Sequence, residues 1–400
     1  MKIGVFLGNI DPASGGGFTF QDEVFRAFLK LESLHTFVVF SHLSNEQSKE
    51  LATDRIQFVS LPQGFLCQAM DKLSRVISYK IQEFPLLQRR LRIAHWFQRI
   101  VDNLGIDLMW FLGPSHIEID IPYIITVWDL QHRLQPWFPE VSTKGAWRMR
   151  EKMFDNIIPR ASAIITGTEA GREEIVRFYR VPLENVKLVP HPTPSFALNA
   201  TDDICADVIS KYQLPERYLF YPAQFWSHKN HVGLLSAVKL LREQYGLVFH
   251  VVFSGSDRGN LEFVRKKTEE FGLTKYVHFL GFVPLEDLKD MYRNAFALVY
   301  LTFFGPENLP PLEAFALGCP VIASNVPGAQ EQLGNAAILV EPKDEVQIAE
   351  KIKLLLEDPD LRQTLVSRGL ARASSWTSED FVKRVISLID DFEPIRRCWD

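Results

Sequence analysis

Three segments of this 400-residue chain combine residue types that could hold a phosphorylated ligand. In FGPENLPPLEAFALGCPVIAS (304–324), Gly305, Glu307, Asn308 and two prolines precede a short apolar helix carrying Glu313, and a strand follows. Pro310 and Pro311 suit a first helical turn, where the N–H they lack would have no partner anyway. Asn308 is placed to cap that turn and Gly318 to end it. The prolines subtract donors, so the amides left to meet an anion are mainly those of Gly305, Glu307, Asn308 and Leu309. Glu313 lies on the first turn and leans toward the helix start, where a carboxylate can accept two vicinal hydroxyls. An anion-tolerant loop beside a diol-binding carboxylate fits the phosphates and ribose of a nucleotide.

In YPAQFWSHKNHVGLL (221–235), Lys229 sits at a strand-to-helix turn. It offers a point charge to a pyrophosphate, or it is simply a solvated surface lysine. His228 and His231 have no partner at metal-ligand spacing and read as surface or cleft residues. In DPASGGGFTFQDEVFRAFL (11–29), Gly15, Gly16 and Gly17 open a helix. Phosphate binding at the helix start and a purely structural turn are equal readings of that pattern. The second strand ends FSH (40–42) without the acidic residue an adenosine ribose would need, which counts against an NAD site.

These turns need elements to hold them in place. Apolar runs rich in Val, Ile and Phe predict strands at 2–8, 36–41, 56–61, 106–112, 123–128, 163–167 and 186–191, then at 217–223, 248–255, 277–282, 296–301, 320–324 and 336–340. Amphipathic helical patterns separate most of them, as in HVGLLSAVKLLREQY and VQIAEKIKLLLED. Continuous apolar strands joined by crossover helices imply parallel sheets covered on both faces. The alternation pauses between about 192 and 215, where prolines and polar residues read as a linker. The expectation is α/β: two doubly wound, Rossmann-like domains, 1–200 and 201–377, facing across a cleft, with a helix in 378–400 packing back toward the first. Ligands of such sheets sit beyond the C-terminal strand ends.

Composition narrows the chemistry. A net charge of −5 and a pI near 6.1 give no general attraction for nucleic acid. Cys67, Cys205, Cys319 and Cys398 form no CxxC pair, which argues for reduced thiols in a cytoplasmic protein and against a zinc site. The opening MKIGVFLGNIDP has too short an apolar run for a signal peptide, and no run of about 18 apolar residues exists to span a bilayer. One segment departs from the acidic balance. From Lys72 to Arg99, seven basic residues face a single Glu83 among interleaved aromatic and aliphatic residues. It is either a pair of ordinary amphipathic helices or a face for peripheral membrane contact through 72–100.

The segments LPPLEAFALGCPVIASNVPGAQEQLGNAAILVEPKD (309–344), SHKNHVGLL, GFVPLEDLKDMYRNAFALVYLT (281–302) and SSWTSEDF (374–381) resemble the family 4 retaining glycosyltransferases with the GT-B fold. The likeness is strong from about 217 to 381 and diffuse in the N-terminal half, as suits a half that binds a variable acceptor. It implies that Glu313 grips the ribose, Lys229 the diphosphate, and that Gly16 and Gly17 close over the phosphates from the other domain. Three departures stand out. Gly305 occupies the place of a family Glu that orients the donor sugar, leaving Glu307 as the nearest carboxylate. Gln224 stands where an Arg is common, removing one positive charge. Trp128-Asp129, in TVWDLQHRLQPWFPE, replaces a His-Asp pair, so Asp129 and His132 become the acceptor-side candidates, with an ordinary loop histidine the other reading of His132. The donor-side candidates are Gly16, Gly17, Gln224, Lys229, Gly305, Glu307, Asn308, Leu309 and Glu313, with Lys229 and Glu307 as catalytic residues.

The activity this likeness implies is transfer of a hexose, mannose-type sugars included, from a UDP- or GDP-sugar to a saccharide or lipid-linked saccharide in glycan biosynthesis. No metal and no cofactor beyond the donor are implied, since the chain carries no convincing DxD motif. Two other readings share the fold: a non-catalytic nucleotide-sugar-binding or partner subunit, and a nucleotide-sugar 2-epimerase.

Overall fold

The computed structural model describes residues 1–8, 15–61, 95–200 and 208–399. Its first sheet holds β1 (Lys2–Phe6), β2 (Thr36–Ser41), β3 (Ile56–Ser60), β4 (Leu108–Phe111), β5 (Tyr123–Thr126), β6 (Ala163–Thr166) and β7 (Val186–Leu188). The second holds β8 (Tyr218–Pro222), β9 (His250–Ser254), β10 (Val277–Phe279), β11 (Ala297–Tyr300), β12 (Val321–Ser324) and β13 (Ala337–Val340). Each lies inside a segment whose apolar run predicts a strand. Every pairing between them is parallel. Parallel strands sandwiched between helices bury both faces, which is why β4, β5, β6, β11 and β12 carry no polar alternation and are buried at every position.

The strand orders are β3-β2-β1-β4-β5-β6-β7 and β10-β9-β8-β11-β12-β13. In both sheets the first strand stands at the point where the order reverses, β1 between β2 and β4, β8 between β9 and β11. Loops that leave such switch points part to either side and open a crevice. The glycine turn follows β1, the Lys229 turn follows β8, and the loop of Gly305 follows β11. The topology therefore brings together three segments that the sequence keeps far apart.

The second domain has one continuous core running through Tyr218, Phe220, Leu234, Val251, Met291, Leu298 and Phe315. The first has one core on each face of its sheet. On one face, Phe97, Val101, Phe154 and Ile157 cover β4 and β5. On the other, Phe20, Val24 and Phe28 of helix Gly16–Leu29 meet Phe381, Val385 and Ile389 of helix Ser378–Arg396. That last helix starts at a capping box, with Asp380 N–H donating to Thr377 Oγ1 at 3.3 Å and Thr377 N–H to Asp380 Oδ2 at 3.0 Å. Trp376 Nε1 donates to Pro190 O at 2.8 Å just before it, so the chain crosses back to the first domain at a fixed point.

Most of the basic segment, residues 72–94, lies outside the described residues, as does 201–207 within the linker. Arg99 is exposed on helix His95–Leu104, whose Phe97 and Val101 face the core. No helix among the described residues is long and apolar enough to cross a membrane.

Candidate functional site

A cavity of about 680 Å³ lies between the two sheets at their switch points. Its walls include Gly16, Gly17, Trp128, Asp129 and His191 from the first domain. From the second come Gln224, Lys229, Ser254, Tyr300, Gly305, Glu307, Asn308, Leu309 and Glu313. That volume suits a small-molecule ligand.

The glycine turn enters through Gly15 at φ 70°, a left-handed conformation that favours glycine. Close approach demands the rest: a Cβ on Gly15 would stand 3.3 Å from the Gln224 side chain, and one on Gly17 would stand 3.1 Å from the Trp128 ring. The turn thus meets the second domain at the residue that replaces the family's arginine.

Lys229 ends a short 3-10 turn, Ser227–Lys229, ahead of helix His231–Tyr245. Asn230 reverses the chain at φ 52° and accepts from Gly233 N–H at 3.1 Å, which caps the helix and fixes where Lys229 emerges. The ammonium donates to Tyr300 Oη at 2.8 Å and to Asn308 Oδ1 at 3.3 Å. Lys229 is therefore a half-buried residue of the cavity wall rather than a solvated one. Burial pulls its pKa down to about 8 against the opposing pull of Asp129 and Glu140.

Glu313 sits on helix Leu309–Ala316 and accepts from Tyr292 Oη at 2.6 Å. Burial pushes its carboxyl up to about 7, with the Tyr292 hydrogen bond opposing. Asn308 occupies the cap position, yet its side chain makes no capping bond. Its Nδ2 donates to Gly305 O at 2.9 Å instead, while Gln332 clamps its backbone, accepting from the N–H and donating to the carbonyl at 3.0 Å each. The Asn308 amide is consequently withdrawn from the set expected to meet an anion. Gly305 has φ 129°, and a Cβ there would lie 2.8 Å from the Asn308 amide group. Any other side chain would be strained in that backbone, so the loop as folded is one that glycine permits.

Glu307 is arranged differently from its expected sugar-facing role. Its Oε1 accepts from His191 N–H at 2.7 Å, its Oε2 lies 3.6 Å from His191 Nε2, and its side chain fills the space over Gly167. Burial pushes this carboxyl up to about 8 and pulls the His191 imidazole down to about 4. The two therefore meet as neutral groups near neutral pH.

On the first-domain wall, Asp129 accepts from Arg150 Nη2 at 2.7 Å and from Gln131 N–H at 2.9 Å. Burial works to raise its carboxyl, but Arg150 and the Gln131 amide outweigh it and hold the group below the usual carboxylate value. His132 is corrected by the structure. The turn Gln131–Leu134 aims its ring away from the cavity, where it is fully buried, 3.0 Å from Glu151 Oε2 and beside Phe154. His231 is neither a surface nor a cleft residue, being stacked between Phe225 and Tyr221 at ring distances of 4.5 and 4.9 Å. His228 does reach the seam between domains, where its N–H donates to Glu140 Oε1 at 3.2 Å.

Tyr300, Tyr292, His191 and Gln332 were not found from sequence. His191 had a readable signal, a polar residue just past the end of an apolar strand. Tyr300 and Tyr292 look like ordinary core aromatics, and Gln332 sits in an unremarkable polar run. Among the described residues no group of three or more His, Cys, Asp or Glu could hold a metal ion.

Two doubly wound sheets facing across a nucleotide-sized cavity define the GT-B class of glycosyltransferases. Residues 208–372 match the family described as Glycosyl transferases group 1, and that match supports a family 4-type glycosyltransferase. Among its relatives is O-antigen chain mannosyltransferase B of Escherichia coli, 31% identical over 62% of this chain and 66% of that protein. O-antigen chain mannosyltransferase RfbU of Salmonella typhimurium is 28% identical over 51% of this chain and 53% of that one. The matches thus span just under two thirds of the first relative and about half of the second. Anabaena HepE in complex with UDP-glucose shares the fold at a TM-score of 0.67 and 16% identity, covering 98% of this chain and 100% of that one.

Proposed function

We propose that this chain transfers a hexose, mannose first among the candidates, from a nucleoside diphosphate sugar to a saccharide or lipid-linked saccharide, with retention at the anomeric carbon and without a metal. The carrying observation is the placement of the Lys229 ammonium and the Glu313 carboxyl in one cavity, facing the Gly16–Gly17 turn. A diphosphate lies between the lysine and the glycine turn, and the ribose diol reaches Glu313. The mannosyltransferase relatives support the choice of sugar, and the UDP-glucose complex of a protein with the same fold supports the donor class.

In the proposed reaction the bond from the anomeric carbon to the diphosphate oxygen breaks, and the acceptor hydroxyl attacks from the same face. Its proton passes to the departing phosphate. The protein must then stabilise the charge growing on the diphosphate, which Lys229 and the amides of Gly305, Glu307 and Leu309 are placed to do. Asp129, kept ionised by Arg150, faces the opposite side and would stabilise positive charge at the sugar or orient the acceptor. Loss of one cation or donor from such a site costs ~3 kcal/mol. Gln224 in place of arginine therefore slows the reaction without ending it.

The test is incubation with UDP- and GDP-hexoses, with and without oligosaccharide and lipid-linked acceptors, in chelator. Nucleoside diphosphate release with an α-linked product from an α-linked donor is expected. Strict magnesium dependence would overturn the metal-free account, and tight binding without turnover across the panel would point to the partner-subunit reading.

A further inference from the structure

The loop after β11 is held from the other side of the cleft. At its start, Gln135 Nε2 donates to Phe303 O at 2.9 Å, and the Phe138 ring stacks on Phe303 at 6.0 Å. At its end, Glu307 reaches His191 N–H at 2.7 Å. Both anchors belong to the first domain. A second carboxylate of the donor domain crosses nearby. Glu331 accepts from Glu169 N–H at 2.6 Å and from Ala170 N–H at 3.2 Å. Those are first-turn donors of helix Glu169–Tyr179, which have no partner within a helix and present the positive end of its dipole. The next residue, Gln332, is the one that clamps Asn308 by its amide and carbonyl, and Asn308 in turn holds Lys229.

We propose that Glu307 and Glu331 form an interdomain clasp that aligns the phosphate-facing loop and Lys229 only when the cleft is closed, with Glu307 a positioning residue and Gly167 the slot that receives it. The proposal rests on the transferase reading for its catalytic consequence, but not for its geometry. Gly167 makes the slot: a Cβ there would stand 1.5 Å from Glu307 Oε2. Nothing in its backbone requires glycine, since its φ is not positive, so the absence of a side chain serves the neighbouring carboxyl. A buried carboxyl is costly unless bonded. Here its partner is an amide of the other domain, so opening the cleft returns both groups to water and closing pairs them. At Glu331 the exchange is between solvent-exposed partners and costs less, so a ligand lying between the domains can bias closure with a modest difference in affinity.

The experiment reads closure directly. Dyes are placed on exposed positions of each domain of the full chain, and their separation is measured without ligand and with sugar nucleotide. Gly167→Ala is expected to widen the separation and to raise the donor KM about tenfold, the value of one buried bond, while kcat falls by less than about threefold. Glu307→Gln keeps an oxygen that can accept from His191 N–H, so the interdomain separation should stay close to that of the parent. In a Glu307→Ala background, Gly167→Ala should have no further effect, because nothing remains to collide with. Glu331→Ala, an exposed substitution that creates no clash, should widen the separation as well. An unchanged separation in Gly167→Ala, or an equal effect of that substitution with and without Glu307, overturns the clasp even in an active enzyme. A widened separation with no turnover on any sugar nucleotide supports the clasp and overturns the transferase reading alone.

Discussion

Lys229 and Glu313 share a cavity, and burial moves their titrations toward each other from opposite sides. The Glu313 carboxyl, raised by burial to about 7, must ionise to accept ribose hydroxyls, so donor affinity should climb as pH rises through that value. The Lys229 ammonium, lowered by burial to about 8, loses its charge above that value, and affinity should fall again. A sugar nucleotide carries its phosphates as diesters, which do not titrate in this range, so calorimetric titration should give a bell between the two values. Glu313→Gln should remove its lower limb, and Lys229→Met its upper limb. For the empty protein the sign is different. A carboxyl raised in the folded state holds a proton that the unfolded chain has lost, so its stabilising contribution is present at low pH and disappears as pH rises through about 7. Lys229→Ala should cut kcat about a hundredfold, whereas Glu313→Ala should act mainly on nucleotide affinity, about tenfold. Their sharing of one cavity was anticipated from the family resemblance, because a lone lysine at a strand-to-helix turn also reads as a solvated surface residue, and Glu313 proves to sit one turn into its helix rather than on the first turn. The direction of Glu307 was not legible. Its partner amide lies 116 residues upstream, and local sequence says nothing about which strand end faces the loop.

At the level of elements, the start of helix His231–Tyr245 decides where the lysine points. Asn230 sits at φ 52° and also caps the helix, so Asn230→Ala loses the cap and strains the backbone, about 2 kcal/mol together, whereas Asn230→Gly keeps the conformation and should cost well under half as much. Thermal denaturation of the two variants separates these contributions. Gly233→Ala makes the complementary case. Alanine favours a helix interior by about 1 kcal/mol, but its Cβ would lie 2.6 Å from Asn230 Nδ2 and expel a cap worth about the same. Stability should hardly move while turnover drops, because the turn that carries Lys229 loses its brace. The strands of the described residues were readable because the central ones are buried on both faces and written as apolar runs, and the more exposed β3, β7, β10 and β13 still keep an apolar majority in the runs that contain them. The lateral order of those strands was not, because it is set by how crossovers wind. Nor could the turn at Gln131–Leu134 be read, which is why His132 was expected in the cleft and lies behind its wall.

For the whole molecule, the decisive feature is that helix Ser378–Arg396 belongs to the first domain's core although it follows the second in sequence. Phe381 is fully buried against Phe20, rings 5.3 Å apart and nearly perpendicular, and Phe20 in turn touches His191 and Trp128 in the cavity wall. Phe381→Ala should cost about 3–5 kcal/mol and loosen a site it never touches, seen in calorimetry as a lower first transition and in kinetics as a raised donor KM. The pause in periodicity near the linker and the final amphipathic pattern made this return crossing conceivable from sequence. Only the burial of Phe381, Val385 and Ile389 says what it covers. The crossing also sets an order of events at the ribosome. Strands β1 to β7 are complete long before the helix that shields them has been translated, so the nascent first half must wait with an uncovered greasy furrow, open to chaperones and to neighbouring chains alike.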